Sequence, residues 1–222
     1  MTDELSRRAE SIPTTLVADV LGDHGLPAQS VSAKVQALTP DVPRRAGRAF
    51  TVAGGPVESL DTGPDLIKAS AIDRMSEGDI AVWAGGEVED VCLFGDLLGA
   101  AMRVRGVRAA VVDGGFRDVE DIDSHEFPVL ARYRTPRAST GVWRARRSGE
   151  PVEISGTLGG YVTVVPGDII VVDANGAVVV PASVAEQVVA ACEAHQRKEQ
   201  MIRGRIEAGD SVEQLLIEYG RI

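Results

Sequence analysis

The chain has 222 residues, 44% of them hydrophobic, which is enough for one sizeable core and predicts a single domain over residues 1–222. A net charge of −10, from 33 acidic and 23 basic side chains, argues against a nucleic-acid groove or an anionic membrane surface, because both need clustered cations. Aromatic residues make up only 4%, so a base-stacking platform is disfavoured as well.

Cys92 and Cys192 are isolated thiols with no Cys or His ligand spacing around them, so neither zinc nor a disulfide framework is indicated. The acidic start Met1-Thr2-Asp3-Glu4-Leu5 is no signal peptide, and no apolar run is long enough for a membrane span. The expectation is a cytoplasmic protein.

The first element expected is a short helix over residues 12–21, capped by Thr14 or Thr15 and ended by Gly22. Residues 31–45, with Pro40 and Pro43, read as irregular. A strand over residues 47–53 runs into Gly54-Gly55-Pro56. A helix follows from Pro64 through Met75, with Lys68 read as solvent-facing or packed by its stem. Residues 78–83 form a strand closed by Gly85-Gly86. A helix over 97–104 stops at Gly106, and a continuous apolar strand spans 107–112.

Strand, helix and strand in so short a stretch imply a parallel crossover. Short β runs are expected at 152–154, 161–165, 169–172 and 177–180, with Asp173-Ala174-Asn175-Gly176 turning a hairpin. Ser183 and Glu186 read as a capping box for a long helix over about 183–207. Pro166-Gly167-Asp168-Ile169 echoes Glu77-Gly78-Asp79-Ile80. The class is α/β, with a mixed sheet core and flanking helices.

The chemistry gathers at Gly95-Asp96-Leu97-Leu98 and Arg117-Asp118. Asp118, in a turn after a strand, suits a hard cation whose remaining positions are filled by water. Arg117 offers a planar fork to a carboxylate or enolate oxygen. Asp96 stands at a helix start, where capping is an alternative to a proton-transfer or metal-linked role. An ordinary surface ion pair is likewise the alternative for Arg117-Asp118. The histidines 24, 125 and 195 are scattered, and only His125 could approach the site. None of the three lysines (34, 68 and 198) sits in an apolar strand, so imine chemistry is disfavoured. Gly85-Gly86 and Gly114-Gly115 read as tight turns.

An Asp followed, after twenty residues, by Arg-Asp resembles the pattern of the RraA-like family, which includes the metal-dependent (class II) 4-hydroxy-4-methyl-2-oxoglutarate aldolases. Thr14 to Asp19 resembles that family's opening helix and Gly47 to Val52 its first strand. Pro166-Gly167-Asp168 with Asp173 to Gly176 resembles its late hairpin. The resemblance runs from about residue 12 to about residue 205. It implies the swivelling β/β/α fold and a homotrimer, or a dimer of trimers, with the C-terminal helix at the subunit interface.

It also implies pyruvate release from 4-hydroxy-2-oxo acids, with oxaloacetate decarboxylation as a side activity. Gly95, Asp96, Leu97, Leu98 and Arg117 would bind substrate, and Asp118 would ligate Mg²⁺ or Mn²⁺. Asp96, and a glutamate from a neighbouring subunit's C-terminal helix, would reach the metal through water. Glu199 is the choice for that glutamate, with Glu193 next. The chain departs from the family at Gly55-Pro56-Val57-Glu58-Ser59, where Pro-Gly-Asp-Asn is usual. A lyase for another 2-oxo acid, and a non-catalytic ribonuclease regulator, are the rival readings.

Overall fold

A computed structural model describes residues 3–38, 42–57, 62–123 and 127–220. Among them, the strands are β1 (Gln36–Ala37), β2 (Arg45–Pro56), β3 (Ile80–Ala84), β4 (Cys92–Phe94), β5 (Ala109–Phe116), β6 (Val129–Arg134), β7 (Trp143–Ser148), β8 (Val152–Ser155), β9 (Tyr161–Val164), β10 (Ile169–Asp173) and β11 (Gly176–Val180). The helices are α1 (Glu4–Glu10), α2 (Thr14–Asp23), α3 (Leu66–Arg74), α4 (Asp96–Val104), α5 (Val119–Asp123), α6 (Ala185–Glu207) and α7 (Val212–Tyr219).

The sheet runs β1-β6-β5-β3-β2-β10-β11, with β4 also paired to β5 and β7 to β2. Its centre, β2-β3-β5-β6, is parallel, and β10 joins antiparallel to both β2 and β11. Each parallel step needs a crossover, and α3, α4 and α5 supply them in turn. Because both faces are covered, the strands are apolar on both sides. From β3, Ala81 and Trp83 face the helices α3–α5, while Ile80 and Val82 face the β8-β9 hairpin. From β10, Ile170 and Val172 join that second layer, whereas Ile169 and Val171 pack under α1, α2 and α6.

Several expectations are corrected. Neither Thr14 nor Thr15 caps α2: Pro13 holds the cap position, and the buried Asp173 carboxylate accepts from the Thr14 amide (3.0 Å) and hydroxyl (2.7 Å). The cap is therefore supplied by a hairpin far along the chain, and α2 runs past Gly22 to Asp23. Ser183 and Glu186 make no capping box, because α6 begins only at Ala185 with Val184 as its cap residue. The turn before α6 is instead fastened by Asp168, whose carboxylate accepts from the Ala182 amide at 2.8 Å.

Gly114-Gly115 is no tight turn but the fully buried end of β5. A Cβ on Gly115 would lie 2.4 Å from the Val91 carbonyl oxygen, so the pair is small to admit a neighbouring strand. That neighbour, β4, was not expected, nor were α1, β1, β6 and β7. The hairpin at residues 173–176 is present, with Ala174 and Asn175 as its loop and Asp173 facing Gly176.

The echo between Gly78-Asp79 and Gly167-Asp168 is one turn built twice. In each, the glycine has φ above +90°, which a turn with left-handed geometry at its third position requires. The following aspartate accepts from the amide three residues back, Ser76 or Val165, at 2.8 Å.

Candidate active site

Parallel strands present their C-terminal ends to one edge, where the loops gather. β4 ends at Phe94 and β5 at Phe116, and these two residues pair in register with their rings edge to face at 5.1 Å. Gly95 and Arg117 therefore leave the sheet side by side. The chain then turns at Asp118, whose φ is +61°, a conformation few residues without a glycine's freedom adopt. That turn points the carboxylate back at the start of α4. Its Oδ2 accepts from the Asp96 amide at 3.4 Å and lies 3.2 Å from Arg117 Nε.

Asp96 is thus not the cap of α4. Gly95 holds the cap position without a side chain, and Asp118 fills the space where one would be. A Cβ on Gly95 would stand 2.3 Å from Asp118 Oδ2 and 3.0 Å from Arg117 Cγ. Arg117 Nε is buried and lacks hydrogen-bond geometry to any described partner. Its described ion-pair partner is Asp118, and among the described residues no hydrogen bond to its guanidinium is present.

Gly95, Asp96, Leu97, Leu98, Arg117 and Asp118 line one cavity of about 260 Å³, so all the substrate-binding and metal residues expected from a single chain meet there. Glu199 does not join them within the chain. It lines a separate cavity between α2 and α6 with Asp19, Asp23 and His195. Glu193 is held by Arg8 through contacts of 2.8 and 3.1 Å. His125 and the Glu58-Ser59 part of the departing loop lie outside the described residues.

Among the described residues, no three His, Cys, Asp or Glu side chains converge as a metal cage. The donor set is two carboxylates at an open rim, which suits a cation that keeps most of its water and takes the rest of its ligands from substrate.

Lys68, read from the sequence as solvent-facing or packed by its stem, is half-buried. Its Nζ reaches into the same cavity, donating to the Leu93 carbonyl at 2.7 Å and lying 3.4 Å from Ser139 Oγ and 5.0 Å from the centre of the Trp143 ring. Burial lowers its pKa; Asp65 opposes this, and Arg117 and Arg144 add to it. Helical spacing alone put Lys68 among exposed neighbours. Only the packing of β7 against α3 brings Trp143 beneath it. Cys92, on the cavity floor, has its thiol pKa raised by burial.

A mixed α/β sheet with a cationic and acidic cavity at the carboxyl ends of its parallel strands defines a small-molecule site of the α/β type. The chain belongs to the RraA-like family, whose model, described as Aldolase/RraA, matches residues 14–179. It is 35% identical over 127 residues to the uncharacterized protein MJ0644 of Methanocaldococcus jannaschii, covering 57% of this chain and 58% of that one. The chain thus spans little more than half the length of that relative.

It is 29% identical over 180 residues to a Halalkalibacterium halodurans protein named "Putative 4-hydroxy-4-methyl-2-oxoglutarate aldolase", covering 80% and 77% of the two chains. The crystal structure of Streptomyces coelicolor RraAS2, described as an unusual member of the RNase ES inhibitor RraA family, superposes with a TM-score of 0.77 at 25% identity. That match covers 91% of this chain and 97% of the other. Among the described residues, no helix is long and apolar enough to cross a membrane.

Proposed function

We propose that the chain is a divalent-metal-dependent lyase that cleaves 4-hydroxy-2-oxo acids, such as 4-hydroxy-4-methyl-2-oxoglutarate, to pyruvate. The observation that carries this reading is the turn at Asp118, which brings a carboxylate and the Arg117 guanidinium to the start of α4 in one cavity. The relative named as an aldolase supports the same class.

In this reading Asp118 would hold Mg²⁺ or Mn²⁺ directly, and Asp96 would reach it through water. When bound there, the ion would supply Lewis-acid polarisation of the 2-keto oxygen. Arg117 binds the pyruvyl carboxylate and keto oxygens through its fork, adding stabilisation as negative charge grows on them. The amides of Leu97 and Leu98 meet the same charge at the helix start. Asp96, through a water, takes the C4 hydroxyl proton. The C4 carbonyl forms, the electron pair passes to pyruvate as its enolate, and a proton returned to C3 completes the product. Loss of CO₂ from oxaloacetate leaves the same enolate, so decarboxylation accompanies the aldolase activity.

The acting species is a cytoplasmic homotrimer formed by this single domain. Glu199 of a neighbouring copy completes the site through water. The structural neighbour described as an unusual member of the RNase ES inhibitor RraA family favours a second reading, a non-catalytic regulator.

The test is a coupled pyruvate assay over 4-hydroxy-2-oxo acids and oxaloacetate, run with EDTA and with Mg²⁺ restored. Turnover that depends on the metal, and is lost in Asp118→Asn with the melting temperature held, is expected. Asparagine tolerates the left-handed conformation, so this variant leaves the fold in place. Metal-independent turnover, with borohydride trapping pyruvate on Lys68, would replace this mechanism with imine chemistry. No turnover combined with ribonuclease inhibition would favour the regulator.

A further inference from the structure

Lys68 is a cation in the cavity wall. No described ion pair includes it. The nearest acid on its own helix, Asp65, is committed elsewhere: Oδ1 accepts from the Lys68 amide at 3.0 Å and Oδ2 from the Ala145 amide at 3.0 Å. What supports the ammonium is the Leu93 carbonyl, the Ser139 hydroxyl and the face of Trp143. All three stabilise the charged form, yet none of them neutralises it. An ammonium has three donors, and the described partners account for two. A half-buried charge in this state gains most from an anion.

The anion is not supplied by the wall of the cavity. Arg117 is a second cation there, and the two acids that line it, Asp96 and Asp118, gather at the α4 end, with Asp118 Oδ2 turned to the Asp96 amide and Arg117. The groups facing Lys68 from the packed elements are Cys92 on β4, Arg117 after β5 and Arg144 on β7, and the two arginines disfavour its charge. The cavity therefore offers two cationic positions: the Arg117 fork beside the acids, and Lys68, whose ammonium lies over the Trp143 ring.

We propose that Lys68 is the specificity residue that receives the distal carboxylate of a dicarboxylic 2-oxo acid, whose 2-oxo acid end lies at Arg117. This rests on the functional reading above and narrows it to substrates with a second carboxylate. Lys68 is thus a binding residue rather than an imine-forming one. Its carbonyl, hydroxyl and ring partners favour the ammonium, whereas an imine needs the neutral amine.

The experiment uses two ligands that the enzyme cannot cleave because they lack a 4-hydroxyl. 2-Oxoglutarate carries the distal carboxylate, and 2-oxopentanoate has a methyl group in its place. Both are titrated by calorimetry into the Mg²⁺-loaded full chain and into Lys68→Met and Lys68→Arg. Wild type should prefer 2-oxoglutarate. Lys68→Met should weaken 2-oxoglutarate by about 10–100-fold, the loss of one charged hydrogen bond, and leave 2-oxopentanoate unchanged. Lys68→Arg should retain part of the preference.

Because the ammonium form is the one that binds, the preference should fall as pH rises through a Lys68 pKa below the ordinary value. Equal affinity of wild type for both ligands, or equal weakening of both in Lys68→Met, overturns the proposal and leaves the 2-oxo acid site standing. Failure of both ligands to bind wild type removes the 2-oxo acid reading, and this proposal with it.

Discussion

A methyl group at Gly95 has no room. It would meet Asp118 Oδ2 at 2.3 Å, well inside contact distance, and the atom it meets is the proposed metal ligand. Gly95 has φ of −131°, so backbone freedom is not the reason for glycine here; the carboxylate occupying its side-chain space is. Gly95→Ala must push the Asp118 carboxylate away from the Asp96 amide and Arg117. Displacements of this size at a reacting centre cost about 100-fold in rate. We therefore expect Gly95→Ala to lose about two orders of magnitude in kcat/KM for pyruvate release. Its melting temperature should shift only slightly, since Asp118 is exposed enough to yield. Near wild-type turnover would mean that Asp118 is not held where the chemistry needs it.

The junction of α2 with the β10-β11 hairpin is fastened by a single carboxylate. Asp173 accepts from Thr14 twice and from the Asn175 amide at 2.9 Å, and it lies 3.6 Å from Arg44 Nε. Burial by itself raises its pKa, but the hydrogen bonds from Thr14 and Asn175 outweigh burial and hold it below the ordinary value. A folded pKa below the unfolded one, about 3.9, means the stabilisation is fully present above that pH and is lost as pH falls through the folded value.

Asp173→Ala should cost about 1–3 kcal/mol at pH 7, because the Thr14 donors are left buried without an acceptor. Denaturant unfolding of both proteins at pH 7 and near pH 3 measures it. The gap between wild type and variant should narrow at the lower pH. A gap independent of pH would assign the stability to packing instead of charge.

The far half of α6 and α7 also carry apolar side chains that the described residues leave exposed. Met201, Ile206, Val212, Leu216 and Ile217 are all exposed, Ile217 at 79%. Exposed apolar groups gathered on one region mark an interaction surface. Leu97, at the rim of the active cavity, is exposed to the same degree, 79%. The proposed trimer buries part of this surface. Sedimentation should give three times the 23.4 kDa chain mass, and Ile217→Glu should lower the association state. A wild-type monomer at micromolar concentration would leave Glu199 without a route to the site.

Sequence by itself determined the elements whose signal is local. The apolar runs of β3, β10 and β11, the helix ended by Gly106, and the turn glycines 78 and 167 are all set by interactions within a few residues. The resemblance through Asp96 and Arg117-Asp118 also stood in the chain order, because the βαβ crossover fixes how far apart two loops at one sheet edge lie in sequence.

What the tertiary structure alone decided is partnership at long range. Four residues at the end of β5, Asp113-Gly114-Gly115-Phe116, stayed invisible as strand because two of them are glycines, which the nearness of β4 demands and strand propensity disfavours. Caps came from Asp118 and Asp173, carboxylates distant in sequence from the helices they close, so no local capping pattern could announce them. Lys68 followed the same logic. A helix pattern records which face a residue lies on, but the charge state and use of its side chain depend on Trp143, Leu93 and Arg117, which only folding brings around it.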